Sequence, residues 1–485
     1  MHAMINSSET VLSTTSSLCS HCKVSVPAQV VARAEQVFLK KSCAAHGPQE
    51  VLISSSLAWY QALMQTQPRL TPPVPRNEVS QGCPFDCGPC TQHQQNIQLP
   101  IVPITSACNL DCPICYTHNK NEGAWHMTED NLRSILMHLR TASPERRIIN
   151  LTGGEPTQHP LFERLVQLCK EEGIHRITIS THGLRFLKEE GLLERLAEID
   201  ARIVLSFDSF RKEQNRELLG GDLLSGKLRV LAMLEKYNVS TTLLPVLARG
   251  YNDDEVAEFV SLALSKDFIR SVELHTMTFT GQSGTKFDRQ GRYTPYDVLC
   301  DLERYSQGRI RVTDFVPSPA AHPLCYQVNY LLGVGKDQWL PFLRFMKPDE
   351  VYALLGNALY MESGPEQEEV LRDVMTRLWA EEEPGVDSAA VLGVLKQMIQ
   401  DASEQGDGSL RLRRAERHTK AIYLHSHMDE ETFDTDRIRM CPVGIREPDG
   451  SNIPSCAYNV LYRERDGRFM KEPAGRLVTL GRGRT

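Results

Sequence analysis

CNLDCPIC, residues 108 to 115, places three thiols at Cys108, Cys112 and Cys115 directly after the apolar run LPIVPIT at 99 to 105. The loop is short enough for all three sulfurs to converge on one cluster. A cubane [4Fe–4S] cluster held by three cysteines keeps one iron open, and an open iron can chelate a small molecule and pass it an electron. The plainer alternatives are a structural zinc or an ordinary electron-transfer centre. LTGGEP, residues 151 to 156, weighs against both. It closes the next apolar run, with Gly153 and Gly154 permitting close backbone approach and Glu155 supplying a carboxylate.

Outward from this pair of motifs, residues 99 to 315 alternate short apolar runs with helical patterns. LPIVPIT, RIINLT, RITIST, RIVLSF, STTLLPV, SVELHTM and RIRVTDF read as strands. LFERLVQLCKEEG and GLLERLAEI carry apolar residues at three- and four-residue spacing, as amphipathic helices do. The expected fold class is α/β, a partial (β/α)6 barrel, whose chemistry gathers at the carboxyl ends of the strands.

Most of the fourteen cysteines fall in four places. CPFDCGPC repeats the spacing upstream at Cys83, Cys87 and Cys90 without a GGEP of its own, so an auxiliary iron–sulfur cluster is expected, with a zinc knuckle as the alternative. CSHC at Cys19 and Cys22 and CAAH at Cys43 and His46 flank VPAQVVARAEQVFLKK, which alternates like a hairpin. Two ligand-bearing turns at the ends of a hairpin suit a mononuclear zinc or a rubredoxin-like iron; otherwise His46 is a surface histidine. Cys441 and Cys456, with Cys325 as a long-range companion, offer a third cluster. Cys169 and Cys300 sit in amphipathic patterns and read as buried thiols. His425 and His427 project to one side of an expected strand and face a substrate or metal, or simply solvent.

The proline-rich QPRLTPPVPRNE, 67 to 78, reads as a linker. The expected organisation is a metal-knuckle module at 1–75, an auxiliary-cluster segment at 76–98, the barrel at 99–320, and a C-terminal region at 321–485. That last region carries a helical insert at 338–404, LPFLRFM included, and a cluster-binding tail.

The C-x3-C-x2-C spacing, followed about 40 residues later by GGEP, resembles the signature of the radical S-adenosylmethionine (SAM) superfamily. The resemblance implies that SAM binds the open iron, and that Gly153, Gly154, Glu155 and Pro156 take its amino group. One electron then cleaves SAM to methionine and a 5'-deoxyadenosyl radical. Tyr116, the THG at 181 to 183, and the strand-end Ser206 and Asp208 fall where SAM is usually contacted; a helix cap is the alternative for the last two. Ile114 departs from the aromatic residue often found before the third cysteine.

Over nearly the whole chain the order of motifs resembles the tetraether lipid synthase and pterin-methylating family. FLKKSCAAHG, QGCPFDCGPC, SACNLDCPICY, LARGYNDDE, VTDFVPSPAAHPLC and IPSCAYNVLYRE carry the likeness. It implies carbon–carbon bond formation, by methylation or alkyl coupling, at an unactivated carbon of a lipid or small molecule. The implied cofactors are SAM, one catalytic and one or two auxiliary [4Fe–4S] clusters, and a mononuclear Zn or Fe. An electron donor such as ferredoxin or flavodoxin is implied as partner. Ala320 stands where relatives carry a cysteine, which puts the C-terminal cluster in question.

A charge of -7 from 54 basic and 61 acidic residues argues against nucleic-acid binding, and the run Arg411, Arg413, Arg414, Arg417 reads as a solvated face. No run approaches the roughly 20 apolar residues of a membrane span, and no leader pattern is evident. A cytoplasmic enzyme with at most peripheral membrane contact is expected. Competing readings are a radical enzyme that modifies peptides and a non-catalytic iron–sulfur carrier or metal-dependent binding protein.

Overall fold

A computed structural model describes residues 9–117, 123–142, 148–336, 338–361, 365–380, 386–403 and 416–469. Arg411, Arg413 and Arg414 of the basic run lie outside them, and Arg417 is exposed.

At the amino-terminal end β1 (Thr10–Leu18), β2 (Ser25–Arg33), β3 (Gln36–Cys43) and β4 (Gly47–Ser54) form a 4-stranded antiparallel sheet. The expected hairpin is β2–β3. Its inward residues Ala28, Val30, Val37 and Leu39 make a core of their own with Tyr60 and Leu63 from the helix Leu57–Met64.

The main sheet is built from β5 (Leu99–Thr105), β6 (Ile148–Gly153), β7 (Arg176–Thr181), β8 (Arg202–Ser206), β9 (Thr241–Leu244), β10 (Val246–Leu247) and β11 (Ile269–Thr276). β12 (Val316–Pro317), β13 (Tyr326–Gly335), β14 (Gln338–Pro341), β15 (Thr419–His425), β16 (Val443–Arg446) and β17 (Asn452–Pro454) complete it. Strand order is β12-β13-β15-β11-β9-β8-β7-β6-β5-β16-β17. β16, β5 to β9, β11 and β15 run parallel along that path, and β17, β13 and β12 are antiparallel flanks.

Parallel strands covered on both faces usually read as unbroken apolar runs. Here they alternate. Ile149 and Leu151, Ile177 and Ile179, Ile203 and Leu205, and Val272 and Leu274 face the helices in one continuous core. Asn150, Thr178, Ser180, Ser206 and Glu273 point the other way, into a central cavity. The polar inner face is thus written in the sequence as every second residue of strands that are otherwise apolar.

Two expectations need correction. RIRVTDF is not a strand: Val312–Asp314 is a 3-10 turn, closed by the Arg311 N–H donating to Asp314 at 2.6 Å. Ile310 and Phe315 are buried in the core as a strand would bury them, but the place beside β11 is taken by β15, with Ser271 opposite Ala421 and His275 opposite His425. LPFLRFM is not helical throughout either; it ends β14 and makes a 3-10 turn at Phe342–Phe345. The rest of the insert holds helices Pro348–Leu355, Pro365–Ala380 and Val386–Ser403, packed on Tyr326, Val328 and Tyr330 of β13. Among the described residues no helix is long and apolar enough to cross a membrane.

Candidate active site and metal centres

The loop after β5 brings Cys108, Cys112 and Cys115 to the mouth of a cavity of about 670 Å³ that runs through the barrel. A turn closes it, with the Cys115 N–H donating to the Cys112 carbonyl at 3.0 Å. Burial pushes the Cys108 thiol up to about 12 and Cys112 higher still, with nearby acidic groups and the neighbouring thiols adding to the shift. Such thiols become thiolates only against a strong local positive charge, which is what a bound metal supplies. The donor set fits a cubane cluster with a free corner.

LTGGEP lies against that loop for a steric reason. A Cβ on Gly153 would come within 2.1 Å of the Thr105 carbonyl oxygen, and one on Gly154 within 2.3 Å of that of Ala107. Gly153 also has φ +142, a conformation closed to other residues. The glycines let the strand end lie flat on the cysteine loop, tied by the Glu155 N–H donating to the Ala107 carbonyl at 2.6 Å. Glu155 is 1% exposed and still lines the cavity. Its carboxylate accepts from the Thr157 N–H, the Thr157 and Thr181 hydroxyls and the His182 N–H, at 3.0, 2.6, 2.6 and 2.9 Å. That fixes its position before any ligand arrives. Pro156 begins the 3-10 turn behind it and is buried.

Of the remaining candidates, Tyr116, Thr181, Ser206 and Asp208 line the cavity, whereas Gly183 is not on its wall. Asp208 Oδ1 accepts from the Val246 N–H at 3.0 Å. Burial pushes its carboxyl up, and Lys227 pulls it back. Lys227 escaped the sequence reading because it looks like one more cation in an amphipathic helix. It is 2% exposed, lines the cavity, and donates to the Ser206 carbonyl and hydroxyl at 2.6 and 3.0 Å.

Cys19, Cys22, Cys43 and His46 come together, their ligand atoms all within 4.8 Å of one another. Cys22 and Cys43 sulfurs are 3.8 Å apart, and His46 Nδ1 lies 3.4 and 3.5 Å from those of Cys19 and Cys43. A tetrahedral zinc with bonds of about 2.3 Å to sulfur and about 2.05 Å to nitrogen requires roughly 3.8 Å between sulfurs and roughly 3.6 Å from sulfur to nitrogen. The site fits. Burial opposes it, but hydrogen bonds from the Cys22 backbone, Gln49 and the His21 backbone hold the Cys19 thiol down to about 5.

Cys83, Cys87 and Cys90 line one small cavity with His93 and Arg439. Burial pushes Cys83 up to about 12. Cys325, Cys441 and Cys456 also converge: burial, then the Cys456 and Cys325 thiols, push Cys441 up. Arg437 Nε donates to Cys325 Sγ at 3.4 Å, and the Met428 N–H to Cys456 Sγ at 3.3 Å. Ala320 is fully buried, its carbonyl accepting from Gln95 at 2.7 Å. Cys169 and Cys300 lie on helices, Cys169 fully buried and Cys300 partly so.

Residues 102–263 match the Radical SAM superfamily, and residues 11–55 the HMPTM N-terminal zinc ribbon domain. The chain is an enzyme of the radical SAM superfamily. SAM and a [4Fe–4S] cluster follow from that domain, and zinc from the ribbon. This radical SAM enzyme is 26% identical over 480 residues to the 7,8-dihydro-6-hydroxymethylpterin dimethyltransferase of Methanocaldococcus jannaschii, covering 93% of this chain and 94% of the relative. It is 31% identical over 136 residues to the GTP 3',8-cyclase of Aquifex aeolicus, 27% of this chain and 42% of that one. Among solved structures, Streptococcus suis SuiB bound to its precursor peptide SuiA aligns with a TM-score of 0.37 at 20% identity, covering 44% of this chain and 46% of that chain.

Changing Glu155→Gln turns an amide NH2 toward donors that now meet a carboxylate. With Glu155 taking the SAM ammonium, as the resemblance implies, losing a charge-assisted contact worth about 1.5–3 kcal/mol is expected to raise the SAM concentration needed for half-maximal cleavage by about 10- to 100-fold. Initial rates of 5'-deoxyadenosine formation against SAM concentration check this; an unchanged dependence would remove Glu155 from the SAM site.

Proposed function

We propose that this radical SAM enzyme transfers methyl groups to a carbon of a compact, polar heterocycle of the pterin class. The observation that carries the reading is the inner face of the barrel. Asn150, Thr178, Ser180, Ser206 and Thr242 line the cavity that the three cysteines open into, which suits a ring with several hydrogen-bonding edges better than an alkyl chain. The likeness over 93% of the chain to a pterin dimethyltransferase supports the same substrate class.

Cys108, Cys112 and Cys115 would hold the [4Fe–4S] cluster, which would supply the electron for cleaving SAM. The chain's own groups do the rest. Glu155 receives the SAM ammonium in a carboxylate already locked by Thr157, Thr181 and His182. Asp208 and Lys227, both buried, line the same wall and feel each other's charge, placed to bind the polar parts of SAM or substrate. Cys83, Cys87 and Cys90, and separately Cys325, Cys441 and Cys456, hold auxiliary clusters, and an external one-electron donor reduces the enzyme.

At the end where the strands begin, the insert adds apolar Leu354, Leu371, Met398 and Ile399 to a cavity wall that also carries Arg176, Arg202, Arg270 and Glu416. That end favours a second reading, alkyl coupling of a lipid chain. The anaerobic enzyme with dithionite, methyl-deuterated SAM and 7,8-dihydro-6-hydroxymethylpterin separates them. Mass spectrometry is expected to find deuterated methyl carbon on the pterin. SAM cleavage with no labelled pterin, and coupling of an isoprenoid lipid instead, would replace the first reading by the second.

A further inference from the structure

Among the described residues outside the cysteine sets, one group of side chains has the make-up of a metal site. His275 ends the inward row of β11, His425 ends that of β15, and His427 follows in the next loop. Their ligand nitrogens all lie within 4.8 Å of one another, and all three rings line the cavity. We propose that His275, His425 and His427 bind a divalent transition ion of the zinc or ferrous class inside the barrel, separate from the iron–sulfur clusters and the ribbon zinc, with an open position facing the substrate cavity.

Each ring also has a named neighbour at one of its nitrogens. His275 Nε2 meets Glu273 Oε1 at 3.0 Å, and His425 Nδ1 lies 3.6 Å from the same oxygen. His427 Nδ1 lies 3.5 Å from Cys456 Sγ. Glu273 is itself held by the Tyr326 hydroxyl, which donates to it at 3.3 Å. A carboxylate hydrogen-bonded to one histidine and close to a second is the kind of partner found behind metal-bound imidazoles, where it sets tautomer and ring orientation. Packing sets the ring planes as well: His425 and His427 have centroids 4.1 Å apart, His275 lies 5.1 and 5.2 Å from them, and Tyr326 packs on His425 at 4.8 Å.

Three imidazoles with a carboxylate behind them match the donor set of open zinc and ferrous sites, in which a water or substrate atom takes the remaining position. Nitrogens on one tetrahedral ion stand roughly 3.4 Å apart, a separation that small side-chain rotations reach from this geometry. Histidine is also a hydrogen-bonding anchor for a polar substrate. A cluster serving only that purpose has no need for three rings brought to one point, two of them beside a shared carboxylate.

The site is independent of the methyl-transfer reading, because its test counts metal and not turnover. The anaerobic holoenzyme is exposed to zinc chloride alone, desalted, and analysed for zinc, iron and sulfide. The expected result is one zinc per chain beyond that of the ribbon. His275→Gln with His425→Gln should lose that equivalent with iron and sulfide unchanged, and Cys43→Ala should lose the ribbon equivalent and keep this one. Glu273→Gln should weaken the barrel site by about 10- to 100-fold. Crystals of the unmutated holoenzyme give a readout that no folding defect can confuse: an anomalous peak at the zinc edge among the three rings. A map with the ribbon peak but none in the barrel overturns the proposal. So does a histidine variant that loses iron in place of zinc, which would make these residues cluster ligands.

Discussion

Replacing Cys112 by alanine abolishes 5'-deoxyadenosine formation, by at least about 10³-fold, or roughly 4 kcal/mol in barrier terms. The size follows from the way the site is built. Cys108, Cys112 and Cys115 come from one loop, tied before Cys108 by the Glu155 N–H donating to the Ala107 carbonyl and pinned again at its carboxyl-terminal end. The Ile114 N–H donates to the Leu218 carbonyl at 3.0 Å, and the Cys115 carbonyl accepts from the Ser283 N–H at 3.0 Å. No other described thiol lines the barrel cavity to replace the lost one. Two thiolates cannot hold the cubane, and without it SAM has neither an iron to bind nor an electron to accept. Product analysis after dithionite reduction, with iron and sulfide counts, checks both halves. The variant should lose the iron of one cluster and keep that of the auxiliary sets. SAM cleavage persisting in the iron-loaded variant would move the catalytic cluster elsewhere in the chain.

Cys43→Ala is expected to melt the ribbon while the barrel stays folded. The 4-stranded sheet has a small core, and its turns are held together at the Cys19, Cys22, Cys43 and His46 end. Zinc binding contributes about 10–16 kcal/mol to folding in domains of this kind, more than such a core supplies by burial alone. The loss should spread across one interface. Lys41 Nζ, buried, donates to the carbonyls of Glu430 and Glu431 at 2.8 and 2.7 Å, and Thr15 donates to Asp434 at 2.7 Å. Amide exchange is the measurement: protection over residues 10–54 should vanish and that over 428–435 should fall, while β6 to β9 keep theirs. Ribbon protection unchanged in the variant would show that the sheet stands without its metal.

The parts of this architecture that lie close together in the chain were legible beforehand. Cysteine spacing, the GGEP and the β2–β3 hairpin are local patterns, and local geometry executes them. RIRVTDF misled because burial of Ile310 and Phe315 looks the same in a strand and in a turn packed on the core. Only the arrival of β15, more than a hundred residues later in the sequence, decides which segment pairs with β11. Lys227 was invisible for a related reason: nothing in LSGKLRVLAMLEK says that its cation turns inward to Ser206. His275 had a faint signal. Ser271, Glu273 and His275 are polar at every second position of an otherwise apolar strand, but their meeting with His425 depends on a sheet neighbour that spacing does not reveal.

Because β15 lies between β11 and β13 while β16 pairs with β5 at the other side, both flanks of the sheet wait for strands made after every other parallel strand has left the ribosome. During synthesis the nascent barrel therefore exposes the unpaired rims of β5 and β11 until residues 419 to 446 emerge, an interval in which oxygen, stray metals and neighbouring chains have their best access to it.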